Sequence, residues 1–408
     1  MRKTGFACRA NLGWAVFLFL LATWVATGSV LAAFAQSPTE PPREQREFRR
    51  LLPLTSFYSI PAPLPAGRPG ELIRSEEFYE YQLPEGVSAS RILYHSRSAG
   101  GTDVAASGVV LTPDQPPPPG GWPVIAWAHG FTGVARQCAP SLMRNLNEGP
   151  FLSMYVKLGY AVVATDYVGL GTDFRNASVD MQSNAADVIY SMAAARAAVP
   201  QLGRKWIAMG ESAGGLAAVA VAGLESDIRD PGYLGAIAVS GVADAREFYE
   251  QLAQANSPEP LLFMAYGLQT LYPQFQASQI LSKEALAPYS QIERSCAANV
   301  SGREDPVAQM LRPGWEDNSF VRRFFARNTL GQKPAYGPLL IISSDADPAV
   351  KTGMTHRALT RMCKQHDTIQ FHQYQSSDFA AVLGDSVRDQ LTWIQARFAG
   401  RRASGNCP

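Results

Sequence analysis

The sequence predicts an α/β protein with a mostly parallel β-sheet and helices on both faces. Short segments that are apolar at nearly every position, such as 122–128 (WPVIAWA) and 160–166 (YAVVATD), alternate with helical patterns. Strands that are apolar on both faces lie buried between two helical layers, which is typical of parallel sheets. A long segment at 242–334, with aromatic and Met clusters, interrupts this alternation late in the chain.

The individual elements follow from apolar runs, from Ala-rich stretches and from the breaks between them. The predicted strands are 91–98, 104–111, 122–128, 160–166, 204–209, 234–240, 338–344 and 368–374. The predicted helices outside the late segment are 151–158, 181–199, 216–224 and 383–398. The segment 242–334 is mainly helical, and a helical insertion of this size on such a sheet usually covers a pocket. We therefore expect a lid there, the alternative being a structural appendage.

Composition excludes several classes of protein. The 408 residues are 46% hydrophobic and 17% charged, so the chain can bury a large core. Lys and Arg number 36, and Asp and Glu number 35, which gives a net charge of +1. This balance argues against non-specific electrostatic binding of nucleic acid. Five His and five Cys argue against a multinuclear metal protein. No cofactor motif is visible, so we expect neither a cofactor nor a metal.

The N-terminus has the pattern of a secretory signal peptide. Arg2, Lys3 and Arg9 precede an uncharged stretch at 10–39. The apolar part of this stretch is followed by small residues that end in an A-x-A pattern at 33–35. We expect residues 1–35 to be removed and the protein to be secreted. The alternative is an uncleaved membrane anchor, because the uncharged stretch is long enough to span a bilayer.

Two features follow the predicted signal peptide. Residues 36–70 are rich in Pro, Arg and Glu and predict an exposed N-terminal arm, which leaves 71–408 as the folded domain. The cysteines that remain after cleavage are Cys138, Cys296, Cys363 and Cys407. An even number of cysteines in an exported chain suggests two disulfides, and four cysteines allow three pairings.

The strongest chemical signal is residues 210–214 (GESAG), which match G-x-S-x-G. A predicted strand precedes the match and a helix follows it, which is the context of a nucleophile elbow. The flanking glycines relieve the crowding of a strained strand-to-helix turn. The Ser212 hydroxyl would then stand at a helix N-terminus, whose positive end favours a developing anion. The alternative is an ordinary Gly-rich turn.

Two further segments supply the remaining parts of such a site. Residues 129–133 (HGFTG) follow the strand 122–128, where a backbone N–H completes the oxyanion hole, so we expect the N–H groups of Phe131 and Ala213 to hold the oxyanion. Asp347 follows the late strand 338–344, where the acid of a Ser…Asp…His order belongs. It is favoured over Asp345 because it directly precedes Pro348, with which we expect the next helix to open. The alternative is that both carboxylates cap that helix.

Together these residues resemble the secretory lipases. The resemblance rests on 129–133 (HGFTG), 137–141 (QCAPS), 165–171 (TDYVGLG) and the elbow, and it covers about 78–408. It implies the α/β-hydrolase fold with a helical lid, and cleavage of acylglycerols and simpler esters, in solution or at a lipid–water interface. It also implies disulfides between Cys138 and Cys296 and between Cys363 and Cys407. The sequence leaves the oligomeric state open.

One departure from the family pattern concerns the catalytic base. The family carries its histidine after the last strand, in a phrase similar to Tyr-Pro-x-x-Asp-His, whereas this chain has residues 374–379 (YQSSDF) with Phe379 at that place. Phenylalanine cannot accept the proton of the serine. The sequence therefore predicts a serine ester hydrolase of lipase or carboxylesterase type whose activity is impaired. The alternative is a non-catalytic relative that binds an acyl chain or another apolar ligand.

None of the other histidines is a good substitute for the missing base. His372 lies within the predicted last strand, seven residues before position 379, and the rise of a strand carries it far from the loop. His356 and His366 belong to the helix after Asp347, and His95 lies early in the chain. For His129 we expect a structural role, since at that turn the backbone performs the catalytic task.

Overall fold

The computed structural model describes residues 51–254, 259–294, 296, 310–347, 349–375 and 379–407. The predicted signal peptide, the first part of the predicted arm, and residues 297–309 within the predicted lid lie outside the described residues. Nine strands of the described part form one sheet, in the order β1-β2-β3-β5-β4-β6-β7-β8-β9. The strands are β1 (Leu72–Glu77), β2 (Val87–Arg97), β3 (Asp103–Pro113), β4 (Trp122–Ala128), β5 (Ala161–Thr165), β6 (Leu202–Glu211), β7 (Tyr233–Val239), β8 (Leu339–Ser344) and β9 (Ile369–Tyr374).

The sheet is antiparallel at one edge and parallel from β5 onwards. The pairs β1–β2, β2–β3 and β3–β5 are antiparallel, and every later pair, from β5–β4 to β8–β9, is parallel. The parallel strands β4, β7 and β8 are buried along almost their whole length, as strands covered on both faces must be. The predicted α/β fold with a mostly parallel sheet is therefore confirmed.

Helices cover both faces of the sheet. The described helices are α1 (Gly149–Lys157), α2 (Met181–Ala198), α3 (Ala213–Ile228), α4 (Ala245–Gln254), α5 (Glu259–Leu271), α6 (Lys283–Tyr289), α7 (Ser319–Arg327), α8 (Thr352–Lys364), α9 (Phe379–Asp385) and α10 (Val387–Phe398). Side chains of α2, α3 and α8 pack in one apolar cluster with the sheet. Side chains of α1, α9 and α10 pack in a second cluster on the opposite face.

Two elements differ from the sequence prediction. The edge strand β1 was not predicted, because its sequence (LIRSEE) is polar and its second half is exposed. The predicted helix 383–398 is two helices that meet at Ser386. The Ser386 hydroxyl donates to the Val382 carbonyl and accepts from the Gln390 side chain, local bonds of the kind that compete with helix continuation.

The described part of the predicted arm, residues 51–70, is exposed at most positions, but two of its aromatic side chains are buried against the domain. Phe57 is 5% exposed and Tyr58 is fully buried. The Tyr58 hydroxyl lies 2.7 Å from the Ser141 hydroxyl, and Arg136 donates to the Tyr58 carbonyl at 3.0 Å. Buried aromatic side chains stabilise a segment strongly enough to hold a Pro-rich stretch against the domain. The Pro-, Arg- and Glu-rich composition of 36–70 gives no indication that Phe57 and Tyr58 are buried.

Four described helices, α4 to α7, lie between β7 and β8. Their side chains form an apolar cluster of their own, which includes Tyr249, Met264 and Phe324. Arg327 at the end of α7 pairs with the fully buried Asp180, which caps α2. None of the helices in the described part combines the length and hydrophobicity that crossing a membrane requires.

Two disulfides join distant parts of the chain. Cys138 bonds Cys296, and Cys363 bonds Cys407, so the pairing that the resemblance implies is confirmed. The second bridge holds the C-terminal tail beside β9, where Asn406 exchanges hydrogen bonds with the backbone of Phe371. The tail thereby covers part of an exposed sheet edge, which would otherwise offer unpaired backbone groups.

Candidate active site

Ser212 occupies a strained turn between β6 and α3. Its backbone has φ 52° and ψ −122°, a conformation that residues with a side chain rarely adopt. Its N–H donates to the Val239 carbonyl at 2.9 Å, which ties the turn to the neighbouring strand β7. The helix α3 begins at the next residue, Ala213. This is the geometry of a nucleophile elbow, in which the serine stands at a helix N-terminus.

The glycines on both sides of Ser212 are required by close backbone packing. A Cβ atom at Gly210 would lie 2.2 Å from the Gly214 carbonyl oxygen, and one at Gly214 would lie 2.0 Å from the Ala128 carbonyl oxygen. Both distances are far below van der Waals contact. The G-x-S-x-G pattern therefore reflects how tightly β4, β6 and α3 approach one another at this point.

Asp347 follows β8 and is 4% exposed. One carboxylate oxygen, Oδ1, accepts the backbone N–H groups of Ala349 at 2.8 Å and Val350 at 3.0 Å. The other, Oδ2, has no hydrogen-bond partner among the described residues. The expectation that the next helix opens at Pro348 is wrong, because α8 begins at Thr352 after Lys351. Asp347 therefore does not cap this helix, and its fixed carboxylate keeps one oxygen available.

A cavity of about 340 Å³ brings together Ser212 and Asp347, two of the predicted catalytic residues. Ser212, Ala213 and Asp347 line it, together with Phe131 from the turn after β4. The rest of its wall is mostly apolar and comes largely from the helices between β7 and β8. These lining residues include Ala245, Phe248, Tyr249, Pro260 and Phe263. The Phe131 and Phe263 rings meet edge to face at 4.6 Å, so the turn after β4 contacts the inserted helices directly.

A buried carboxyl group supports this turn. Glu211 is 6% exposed and accepts a hydrogen bond from the Gly130 N–H. Burial, reinforced by the nearby Glu148, raises the pKa of Glu211 to about 7. A Cβ atom at Gly130 would lie 2.1 Å from a Glu211 carboxylate oxygen. Sequence reasoning did not assign Glu211 a role, although it stands within the GESAG motif beside Ser212.

The His129 side chain is a structural part of the same turn. Its ring nitrogens lie 2.6 Å from the Gly130 carbonyl oxygen and 3.2 Å from the Asp166 carbonyl oxygen. The ring stacks on Tyr167 with centroids 4.3 Å apart. Burial lowers the pKa of His129 to about 4, so the ring is neutral at physiological pH. These contacts fix the turn and fit the structural role expected for this histidine.

None of the five histidines, all of which are described, lines the cavity. His372 lies in the edge strand β9, where its Nδ1 atom bonds the Asp389 carboxylate. His95 pairs with Asp103 at 3.0 Å, and His356 packs against Phe371. Position 379 begins α9, and residues 376–378 before it lie outside the described residues. Within the described part, no three His, Cys, Asp or Glu side chains group as metal ligands would.

Comparisons with known proteins agree with this architecture. The family model described as secretory lipase matches residues 146–406, more than half of the chain. The chain therefore belongs to the secretory lipase family and is a hydrolase of the lipase and esterase class. No curated protein matches it significantly.

Solved structures share the fold at low sequence identity. The closed state of Candida antarctica lipase A aligns at TM-score 0.73 and 17% identity, covering 88% of this chain and 89% of that one. A rice cell wall degrading esterase, LipA from Xanthomonas oryzae, aligns at TM-score 0.67 and 17% identity, covering 82% of this chain and 100% of that one. The α/β-hydrolase fold implied by the sequence is thus confirmed.

Proposed function

We propose that the chain is a serine ester hydrolase that acts on acylglycerols and simpler esters through an acyl-enzyme on Ser212. The observation that carries this proposal is the elbow geometry of Ser212 at the end of β6, facing a mostly apolar cavity that Asp347 also lines. A strained serine at a helix N-terminus gains both exposure of its hydroxyl and a favourable field for an oxyanion.

The reaction would proceed in two steps. The Ser212 oxygen attacks the ester carbonyl carbon, and the N–H groups of Phe131 and Ala213 stabilise the negative oxygen. The tetrahedral intermediate collapses with release of the alcohol, and water then releases the acyl group as the acid. Asp347 would orient the base through its free Oδ2 atom, in the manner of a Ser-His-Asp site.

The residue expected to act as the catalytic base is replaced in this chain. Phe379 stands where the family carries its histidine, and a phenylalanine can neither take the proton of Ser212 nor return one to the leaving group. Removing one member of such a triad eliminates most of the rate, while oxyanion-hole binding leaves a remainder. The unaltered chain is therefore expected to be a slow hydrolase.

The cavity supports a substrate with an apolar acyl group. Its wall contains four aromatic side chains, which are Phe131, Phe248, Tyr249 and Phe263. Such a wall gains free energy by burying hydrocarbon but offers few partners to a short polar acid. The inserted helices supply three of the four aromatic rings, so α4 and α5 act as a cover that shapes the acyl site.

Secretion is the second part of the proposal. The basic start, the uncharged stretch and the A-x-A pattern at 33–35 support export with removal of residues 1–35. Two disulfides are typical of an oxidising compartment. The family, whose description is secretory lipase, fits the same location.

Phe379 also favours a second candidate function. A relative without a base would keep the fold and the apolar cavity but use them to hold an acyl chain or another apolar ligand. The presence of Ser212 and Asp347 favours the enzyme, since ligand binding alone needs neither residue.

The deciding experiment compares the unaltered chain with Phe379→His on p-nitrophenyl esters of short and medium acids. The histidine variant is expected to gain about three orders of magnitude in kcat/KM, because it restores the missing base. The matched control is Phe379→His combined with Ser212→Ala, which should return to the background rate.

Two other outcomes would change the proposal. If neither chain turns over any ester, the catalytic assignment is wrong and ligand binding becomes the better function. If the unaltered chain is already fast, another group serves as the base, and His372→Ala is the next variant to measure.

A further inference from the structure

Glu259, the first residue of α5, lines the cavity that contains Ser212 and has no hydrogen-bond or ion-pair partner among the described residues. It is half-buried beside Pro260 and Phe263. The other acidic residues that begin inserted helices are accommodated differently: Glu247 in α4 pairs with Arg357 at 2.8 Å, and Glu284 in α6 is exposed.

The surroundings of Glu259 disfavour its charge. The cavity wall around it is predominantly apolar, and burial raises the pKa of Glu259 to about 7. A helix N-terminus acts in the opposite direction, because its dipole stabilises a carboxylate. Burial therefore outweighs the helix dipole here. A glutamate that served only to start α5 would face solvent, as Glu284 does.

A half-buried acceptor without a partner is suited to a donor that arrives with a ligand. Binding an apolar molecule excludes more water from this cavity. A carboxylate without a hydrogen bond then raises the free energy of the complex, whereas a hydrogen bond to the carboxylate becomes stronger. A hydroxyl or ammonium group on the ligand would supply the missing hydrogen bond. A ligand carboxylate would meet repulsion instead.

We propose that Glu259 is a specificity-determining residue, which accepts a hydrogen bond from a hydroxyl or ammonium group on an otherwise apolar substrate. The proposal rests on the proposed function only in taking this cavity as the substrate site. Hydrogen bonds to charged groups contribute about 1.5–3 kcal/mol, which corresponds to roughly a tenfold or larger preference in affinity. The same carboxylate favours departure of the fatty acid anion that ester hydrolysis produces.

The test is a binding measurement that needs no catalysis. Octylamine, octanol and octanoate share one chain length and differ in the head group, and isothermal titration at pH 8 gives the Kd of each for the full chain. The unaltered protein should bind octylamine about tenfold more tightly than octanoate. In Glu259→Gln this ratio should fall to within about twofold, while octanol affinity falls less than octylamine affinity, because glutamine still accepts a hydrogen bond from the hydroxyl but carries no charge.

A matched variant and a binding control make the result decisive. Glu284→Gln carries the same substitution in the same inserted segment, away from the cavity wall, and should keep the tenfold ratio. Measurable octanol binding by Glu259→Gln shows that the cavity of the variant is intact. The proposal is overturned if Glu259→Gln keeps the amine-to-acid ratio, or if none of the three probes binds. Failure of the hydrolysis assay would leave a positive binding result standing.

Discussion

At the scale of single residues, the site is built from conformations and charges that would be unfavourable elsewhere. Ser212 is held at φ 52° although it has a side chain, and Glu211 beside it is buried in a site that raises its pKa to about 7. Such local costs persist only where the surrounding structure enforces them. The conformation of Ser212 is stabilised by two features. Gly210 and Gly214 allow the close backbone contacts around it, and β7 accepts a hydrogen bond from the Ser212 N–H.

Glu211 gives a prediction about pH and stability. Its pKa is raised in the folded protein from an ordinary value of 4.5, so between these pH values the unfolded chain releases a proton that the folded chain keeps. Stability associated with Glu211 is therefore complete at low pH and is lost as pH rises towards and above about 7. The full loss is roughly 3 kcal/mol, from the size of the pKa change.

Glu211→Gln should remove this loss, because glutamine accepts the Gly130 N–H without ionising. The measurement is urea unfolding of both proteins at pH 5 and pH 8, in which the variant gains stability relative to the unaltered chain at the higher pH. Glu284→Gln, at an exposed position, is the control. Equal pH dependence in the unaltered and Glu211→Gln proteins would contradict the assignment.

At the scale of elements, the inserted helices are anchored at both ends and packed on themselves between. Near the start of the insertion, the Asp244 carboxylate pairs with Arg361 of α8 and accepts the Leu330 N–H at 2.9 Å. At the far end, Arg327 of α7 pairs with Asp180. The insertion is therefore fixed to α2 and α8, and its aromatic side chains are held against the turn after β4.

The buried Asp180 carboxylate makes three contacts that stabilise the fold. It accepts the Ser183 N–H as the cap of α2, pairs with Arg327, and accepts from the Asn328 side chain at 3.1 Å. Asp180→Ala should lower the free energy of unfolding by about 3–5 kcal/mol, because it leaves the partly buried Arg327 without its partner and removes a helix cap.

Urea unfolding of Asp180→Ala measures this effect. The control is Glu250→Ala, which breaks the exposed pair with Arg246 within α4 and should change stability by about 0.5 kcal/mol or less. A loss for Asp180→Ala no larger than that of the control would show that the Arg327 pair does not anchor the insertion.

At the scale of the whole molecule, two disulfides connect regions that are far apart in sequence. Cys138 and Cys296 are separated by 158 residues and join the segment after β4 to the insertion. Cys363 and Cys407 are separated by 44 residues and join α8 to the C-terminal tail. The two bridges therefore constrain different parts of the unfolded chain.

Removing each bridge in turn tests how it stabilises the fold. Each double Cys→Ser variant should lose about 2–5 kcal/mol, and the 158-residue bridge should lose about 1 kcal/mol more than the 44-residue bridge, since the entropy of loop closure grows with loop length. Urea unfolding of Cys138→Ser/Cys296→Ser and Cys363→Ser/Cys407→Ser measures the difference. A larger loss for the shorter loop would show that local contacts outweigh chain entropy.

The sequence by itself determined the sheet, its buried strands and the position of the candidate nucleophile. Apolar runs mark β4, β7 and β8 because such strands must be covered on both faces, and the GESAG motif stands out because its glycines answer a local steric demand. The family resemblance rests on such local motifs, and it implied the disulfide pairing that the structure confirms.

Only the tertiary structure decided the features that depend on contacts between distant residues. Examples are the burial of Tyr58, the hydrogen bond between Gly130 and Glu211, and the position of Glu259 in the cavity wall. Each depends on segments that are far apart in the sequence or that face each other across the fold. The polar strand β1 exists because β2 offers it a pairing edge, which no pattern within its own six residues records. Periodicity and motifs report what a residue needs from its neighbours in sequence, whereas burial and pKa depend on which surfaces the fold brings together.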